Sequence, residues 1–411
     1  MSRRRVVVTG MAGISPIGNN WPDVERALRA RQNAVRTMGE WADITGLNTR
    51  LGAPAAPFEL PMERYPRKRT RSMGRVALMA CLASEWALAD AGLTGHPVLA
   101  SGRAGVSYGS STGEPAAVAN FLRLLQDRTL EGITANSYLR MMAHTAPVNI
   151  AVFFGLTGRV ITTSSACTSG SQGIGYAYEA IRYGHADVMI AGGAEELCAS
   201  EAAVFDTLFA TSTRNDAPAT TPRPYDRDRD GLVIGEGAGT LILEEFEHAR
   251  ARGARMVAEI VGFGTNCDGA HVTQPQAETM ARAIRLALDD AVLPPSAIGY
   301  VNGHGTATEL GDIAESIATH TNFGEKMPIS SLKSYMGHTL GAAGALEAWL
   351  TIEMMRTGWF APTLNLDQVD PRCAPLDYVR GDGRALDCEY TMSNNFAFGG
   401  INTSLIFKRP N

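Results

Sequence analysis

The chain lacks any Cys-x-x-Cys pair: its six cysteines (81, 167, 198, 267, 373 and 388) are scattered along 411 residues. That usage argues for a reducing compartment and against structural zinc, so no metal is expected. No apolar run approaches the roughly 18 residues of a membrane helix. Arg3-Arg4-Arg5 precedes Val6-Val7-Val8, but the apolar part stops at Thr9-Gly10, which suits a first strand better than a secretory core. Charged residues make up only 19%, with a net charge of -5, so nothing draws the chain to nucleic acid or an anionic membrane. No Gly/Ser-rich or Pro-rich linker separates independently folding parts. A cytoplasmic α/β enzyme is the expectation.

What is present is glycine (43 residues), a 45% hydrophobic content, and alternation of strand-like and helical segments. The extended segments are Arg5 to Gly10, Ala104 to Tyr108, Val188 to Gly192, Gly239 to Glu244, Ala258 to Gly264, Ile298 to Asn302, Thr391 to Asn394 and Ser404 to Lys408. Arg75 to Ala91 and Ala281 to Ala291 read as amphipathic helices, and Glu244 to Gly253 as a charged helix bridging two halves. This pattern predicts a mixed sheet between helix layers.

Cys167 stands in the small-residue run Thr163-Ser164-Ser165-Ala166-Cys167-Thr168-Ser169-Gly170-Ser171, after apolar Val160-Ile161 and before helically spaced Ile174, Tyr178 and Ile181. A strand, a sharp turn and a helix would hold the sulfur at a helix N-terminus, where the dipole favours thiolate. By itself the run fits a nucleophile or a packing thiol equally well. Two histidines follow among glycines, in Gly303-His304-Gly305-Thr306-Ala307-Thr308 and in Lys333-Ser334-Tyr335-Met336-Gly337-His338. Either alone could be structural. Together with the cysteine they point to nucleophilic Cys chemistry with His partners.

On these motifs, with Ala191-Gly192-Gly193-Ala194-Glu195, Arg227-Asp228-Arg229-Asp230-Gly231 and Ser393-Asn394-Asn395-Phe396-Ala397-Phe398-Gly399-Gly400, the chain resembles an elongating β-ketoacyl-acyl-carrier-protein synthase along essentially its whole length. The resemblance implies the thiolase fold, with pseudo-repeated halves at 1–250 and 251–411 in a five-layered α-β-α-β-α arrangement. It implies decarboxylative condensation of malonyl-carrier protein with an acyl group on Cys167, in fatty acid or polyene/polyketide synthesis. His304 and His338 would act on the malonyl carbonyl. Lys333 and Glu347 would form a buried ion pair orienting His338. Backbone N–H groups of Cys167 and Phe398 would form the oxyanion hole, Phe398 also resembling a gating aromatic. Thr273, Thr306 and Thr308 match residues that bind the phosphopantetheine arm, which belongs to the carrier substrate, so no resident cofactor is implied. Thr112 would line the acyl pocket near a subunit boundary.

The run Arg64 to Arg75 holds five arginines and one lysine; the resemblance puts docking of an acidic carrier protein there, Lys68 and Arg71 matching best. A solvated helix face is the plainer reading. A homodimer, or a pair with a homologous chain-length-factor subunit, is implied. Thr112-Gly113-Glu114-Pro115, Ala397, Glu309 and Phe209 depart from the family pattern around the acyl pocket and mouth. They spare the catalytic set and leave the acyl group open. A thiolase would want a second cysteine in the run from Phe396 to Asn402, which has none, and a chain-length factor would lack Cys167.

Overall fold

The computed structural model describes residues 3–410. Its main sheet has eleven strands. In chain order they are β1 (Val6–Ile14), β2 (Ala104–Gly109), β3 (Val160–Thr163), β4 (Val188–Glu195) and β5 (Gly237–Glu245). Then come β6 (Ala258–Cys267), β7 (Ile298–Asn302), β8 (Pro328–Ser330), β9 (Asp377–Tyr378), β10 (Tyr390–Ala397) and β11 (Ile401–Lys408). Each segment read as extended falls in one of these strands, apart from Arg5, which lies just before β1. Strands β1, β2 and β4 are buried along their full length, as expected for strands covered on both faces.

The strand order is β9-β8-β7-β10-β11-β6-β1-β5-β4-β2-β3. Outward from the β1/β6 seam, β1-β5-β4-β2-β3 and β6-β11-β10-β7-β8 run through the same succession: antiparallel, antiparallel, parallel, parallel. The seam is an antiparallel pairing in which Val6 faces Ile260 and Val8 faces Ala258. The repeat thus lies in topology and not in recognisable letters.

Seven helices frame the sheet and the site: α1 (Arg75–Asp90), α2 (Thr145–Phe154), α3 (Ser169–Arg182), α4 (Ala199–Asp206), α5 (Ala277–Ala291), α6 (Glu309–Phe323) and α7 (Ala343–Thr357). Helix α1 covers β1 and β5 on one face, α3 and α7 pack between the two halves of the sheet, and α5 covers β6 and β11 beyond them. The layers therefore run α-β-α-β-α. Helices α3 and α7 can cross closely because glycine sits at the crossing. A Cβ on Gly170 would lie 2.9 Å from the Gly341 carbonyl oxygen, and one on Gly344 would lie 2.6 Å from the Ser171 nitrogen.

One sequence expectation is corrected. Glu244 belongs to strand β5, and the helix after it spans only Phe246–Ala251. Glu244 is fully buried, where Arg252, His248 and Thr9 meet its carboxylate, so pairing within the sheet overrides the local charge pattern. Among the described residues no helix is long and apolar enough to cross a membrane.

Candidate active site

Strand β3 ends in an elbow whose hydroxyls tie down its own backbone. Thr163 donates to the Ser169 carbonyl (2.8 Å), Thr168 to that of Ser165 (2.7 Å) and Ser169 to that of Ala166 (2.7 Å). Ala166 takes φ +51°, a left-handed turn that a small side chain tolerates best. One 3-10 turn, Ala166–Thr168, then leads into α3. This is why the run is rich in small hydroxyl residues. It places Cys167, 4% exposed, at the head of a buried helix.

Three elements from the second half converge on that sulfur. The backbone N–H groups of Phe398 and of Cys167 itself point at it, and His338 Nε2 lies 2.9 Å away. The His304 and His338 rings stand edge to face, centroids 5.1 Å apart, and their ligand atoms and the sulfur all lie within 4.8 Å of one another. Burial pushes the Cys167 thiol up to about 11, while Lys333 and the two N–H groups pull the other way. The expected dipole activation is thus outweighed by desolvation, and the resting group is a thiol.

The protons on the two rings follow from their partners. His338 Nδ1 accepts from the Leu340 N–H (3.3 Å). His304 Nδ1 accepts from Lys333 Nζ (3.2 Å) and Asn395 Nδ2 (3.3 Å). Both rings are held well below the usual histidine range, first by burial and then by the Lys333 charge. Two neutral rings with Nδ1 accepting must each carry a hydrogen on Nε2. The site therefore presents donors where a metal ion would need lone pairs.

Lys333 and Glu347 form a fully buried ion pair, with Asn395 donating to the second Glu347 oxygen (2.6 Å). The expectation that this pair orients His338 is corrected: the ammonium bears on His304, and a backbone amide fixes His338. Only four residues of chain separate Lys333 from His338, yet the turn Lys333–Met336 directs the lysine inward toward the loop after β7.

That loop is held by carboxylates the sequence reading passed over. Glu315 accepts from the N–H groups of His304 and Gly305 and from Tyr225 Oη, and Asp312 from those of Thr306 and Ala307. Burial lifts Glu315 to about 7 and Asp312 to about 6. Their spacing of three on a helix just after the His304 motif was the available signal, since acids one turn apart share a face. Asn395 was likewise within a quoted motif but had no role assigned.

A cavity of about 550 Å³ leads down to Cys167, His304 and His338. Thr273, Thr306, Thr308 and Phe398 line it, and exposed Leu208, Phe209, Val272 and Leu310 rim it. The Thr306 and Thr308 hydroxyls are 2.9 Å apart, and Phe398 packs on Phe205 with centroids 5.0 Å apart. Thr112 does not reach this cavity; its hydroxyl instead donates to Glu201 (3.0 Å). In the basic run, Arg64 pairs with Glu85, Arg69 lies over Phe153 and Arg75 pairs with Glu236. Arg67, Lys68 and Arg71 stay exposed, with no ion pair to any described residue.

Comparison with known proteins places this geometry. Residues 3–249 match the beta-ketoacyl synthase N-terminal domain and residues 257–367 its C-terminal domain. The chain is 40% identical over 418 residues to 3-oxoacyl-[acyl-carrier-protein] synthase 2 of Vibrio cholerae serotype O1, covering 100% of both chains. It is similar to the crystal structure of a beta-ketoacyl synthase from Burkholderia phymatum STM815, with TM-score 0.98, 61% identity, and 99% of this chain and 100% of that one covered. It is also similar to the ishigamide ketosynthase/chain length factor, with TM-score 0.90, 33% identity and 100% of both chains covered. Matched in order across both domains, on a fold shared with solved thiolase-type ketosynthases, the chain belongs to the beta-ketoacyl synthase family of condensing acyltransferases.

Proposed function

We propose that the protein is a 3-oxoacyl-[acyl-carrier-protein] synthase whose reaction runs on Cys167, His304 and His338. The observation that carries this reading is a pair of neutral histidines with Nε2–H donors gathered within 4.8 Å of one buried sulfur, since a hydrolytic cysteine site would need a single base. In the first half-reaction the sulfur attacks an acyl thioester delivered through the cavity. The Cys167 and Phe398 N–H groups hold the oxyanion, and the carrier thiol leaves with the proton that Cys167 gives up.

A malonyl thioester then takes the cavity, its carbonyl oxygen accepting from His304 and His338. The carboxylate departs as carbon dioxide and its electron pair becomes an enolate. The enolate carbon attacks the acyl-Cys167 carbonyl, the carbon–sulfur bond breaks, and the thiolate that leaves takes up a proton from solvent. The product is a 3-oxoacyl thioester two carbons longer. Thr273, Thr306 and Thr308 bind the arm. The carrier protein docks on Arg67, Lys68 and Arg71, where an acidic surface would find unpaired cations.

The likeness to the ishigamide ketosynthase/chain length factor supports a second reading, in which a homologous subunit pairs with this chain. Strand β3, at the edge of the sheet with Val160 46% exposed, suits a subunit contact. The test is incubation with acyl- and malonyl-carrier protein, read by intact mass and peptide mapping. Acyl mass on the Cys167 peptide and a product two carbons longer are expected. Label spread over several cysteines, or persisting in Cys167→Ala, would overturn the assignment.

A further inference from the structure

Beside the elbow, outside the lining of the cavity, lies a buried acidic cluster that the reaction described above does not use. Glu195, at the end of β4, is fully buried. It accepts from the Ser110 hydroxyl (2.9 Å), the Ser111 N–H (2.7 Å), the Ser111 hydroxyl and the Gly341 N–H (3.1 Å). Glu201, on α4, is 5% exposed; one oxygen accepts from Thr112 (3.0 Å) and the other is buried with no partner among the described residues.

The cluster abuts the nucleophile. Ala202 and Phe205 of α4 pack in one apolar group with Cys167 and Leu340, and Glu201 lies one helical turn from Phe205 on the same face. Leu340 precedes the Gly341 that bonds Glu195, and the Ser111 carbonyl accepts from Ser164, three residues before Cys167. None of Thr112, Glu195 and Glu201 lines the cavity of the pantetheine arm.

Condensation makes this side of the sulfur matter. While the malonyl arm fills the cavity, the acyl group on Cys167 needs room on another side of the sulfur, and α4 and the Thr112 loop lie against one such side. A plain hydrocarbon pocket would be apolar there. The Thr112 hydroxyl lies within reach of both carboxylates, 3.4 Å from Glu195 and 3.0 Å from Glu201, and two buried carboxylates sharing one donor do not readily both ionise. Burial raises both, but the donors around Glu195 pull it back, whereas burial and the neighbouring Glu195 raise Glu201 well above the usual range. Glu201 is thus the carboxyl of the two that favours its protonated form, with one oxygen unmatched among the described residues, and a buried polar group left unmatched is unfavourable.

We infer that Glu201, set by Thr112, is a specificity-determining residue that selects acyl groups carrying an oxygen function, hydroxyl or keto, over plain alkyl chains. The inference rests on the condensing-enzyme reading. An oxygen on the chain meets the unmatched Glu201 oxygen; an alkyl chain buries it unpaired, and sites built this way reject analogues lacking the polar group.

The experiment is acyl transfer to Cys167, followed by intact mass, from length-matched alkyl, hydroxyacyl and ketoacyl thioesters with the oxygen placed at successive carbons. Wild type should favour at least one oxygenated donor by about tenfold over its alkyl match, the yield of one net hydrogen bond. Glu201→Met should lose that preference while still accepting alkyl groups, and Thr112→Val should weaken it, with thermal melting confirming that both variants fold. Glu201→Gln, which keeps a donor and an acceptor, should retain part of it. No preference in wild type, or an unchanged one in folded Glu201→Met, overturns the inference. Absence of acylation by every donor would instead overturn the condensing-enzyme reading.

Discussion

Lys333 Nζ sits 3.2 Å from His304 Nδ1 while its charge is neutralised by Glu347, so one ion pair decides which nitrogen of the neighbouring ring carries the proton. An ammonium can only donate, which forces Nδ1 to accept and leaves the hydrogen on Nε2. The pair thus works on catalysis through a tautomer, at the expense of burying two charges.

Removing one partner of that pair should be felt twice. Lys333→Ala leaves Glu347 buried and unpaired, and should lower stability by about 3–5 kcal/mol. It should also lose malonyl decarboxylation. The apolar double variant Lys333→Met with Glu347→Leu should recover much of the stability, measured by denaturant unfolding, but not the decarboxylation. Normal carbon dioxide release from the double variant would show that the pair serves folding alone.

The two histidines should separate under mutation. His304→Ala should still take up an acyl group, whereas His338→Ala, losing the group 2.9 Å from the sulfur, should acylate more slowly. Each should lose decarboxylation by roughly 10²–10³-fold, the effect of one oxyanion donor. Both rings titrate well below the ordinary histidine value, so the neutral form prevails above that depressed range. Decarboxylation should accordingly stay flat through neutral pH and fall only in acid, as the rings gain protons. A pH profile of carbon dioxide release with its midpoint near 6.5 would contradict this.

Docking should depend on Lys68 and Arg71. Lys68→Glu with Arg71→Glu should weaken carrier-protein binding and leave reaction with small thioesters nearly intact. Added salt should weaken wild-type binding, because exposed charges are screened within about 8–10 Å at physiological ionic strength. Unchanged affinity after charge reversal would return the run to a solvated helix face.

The chemistry-bearing local pieces were legible in the letters because neighbours along the chain encode them. The small hydroxyl residues around Cys167 bond their own backbone, the glycines beside His304 and His338 mark turns, and short extended segments alternating with helical ones located the strands. Other relationships depended on contacts between distant segments. Lys333 stands five residues from His338 yet serves His304, 29 positions away, and Phe398 brings its N–H to a cysteine far earlier in the chain. Thr112 meets Glu201 across 89 positions. The Cys167 thiol rises by desolvation, which no local pattern of dipole or turn reveals. Backbone conformation is set mainly by adjacent residues, whereas charge pairing, burial and the choice of tautomer depend on what the fold packs against each side chain.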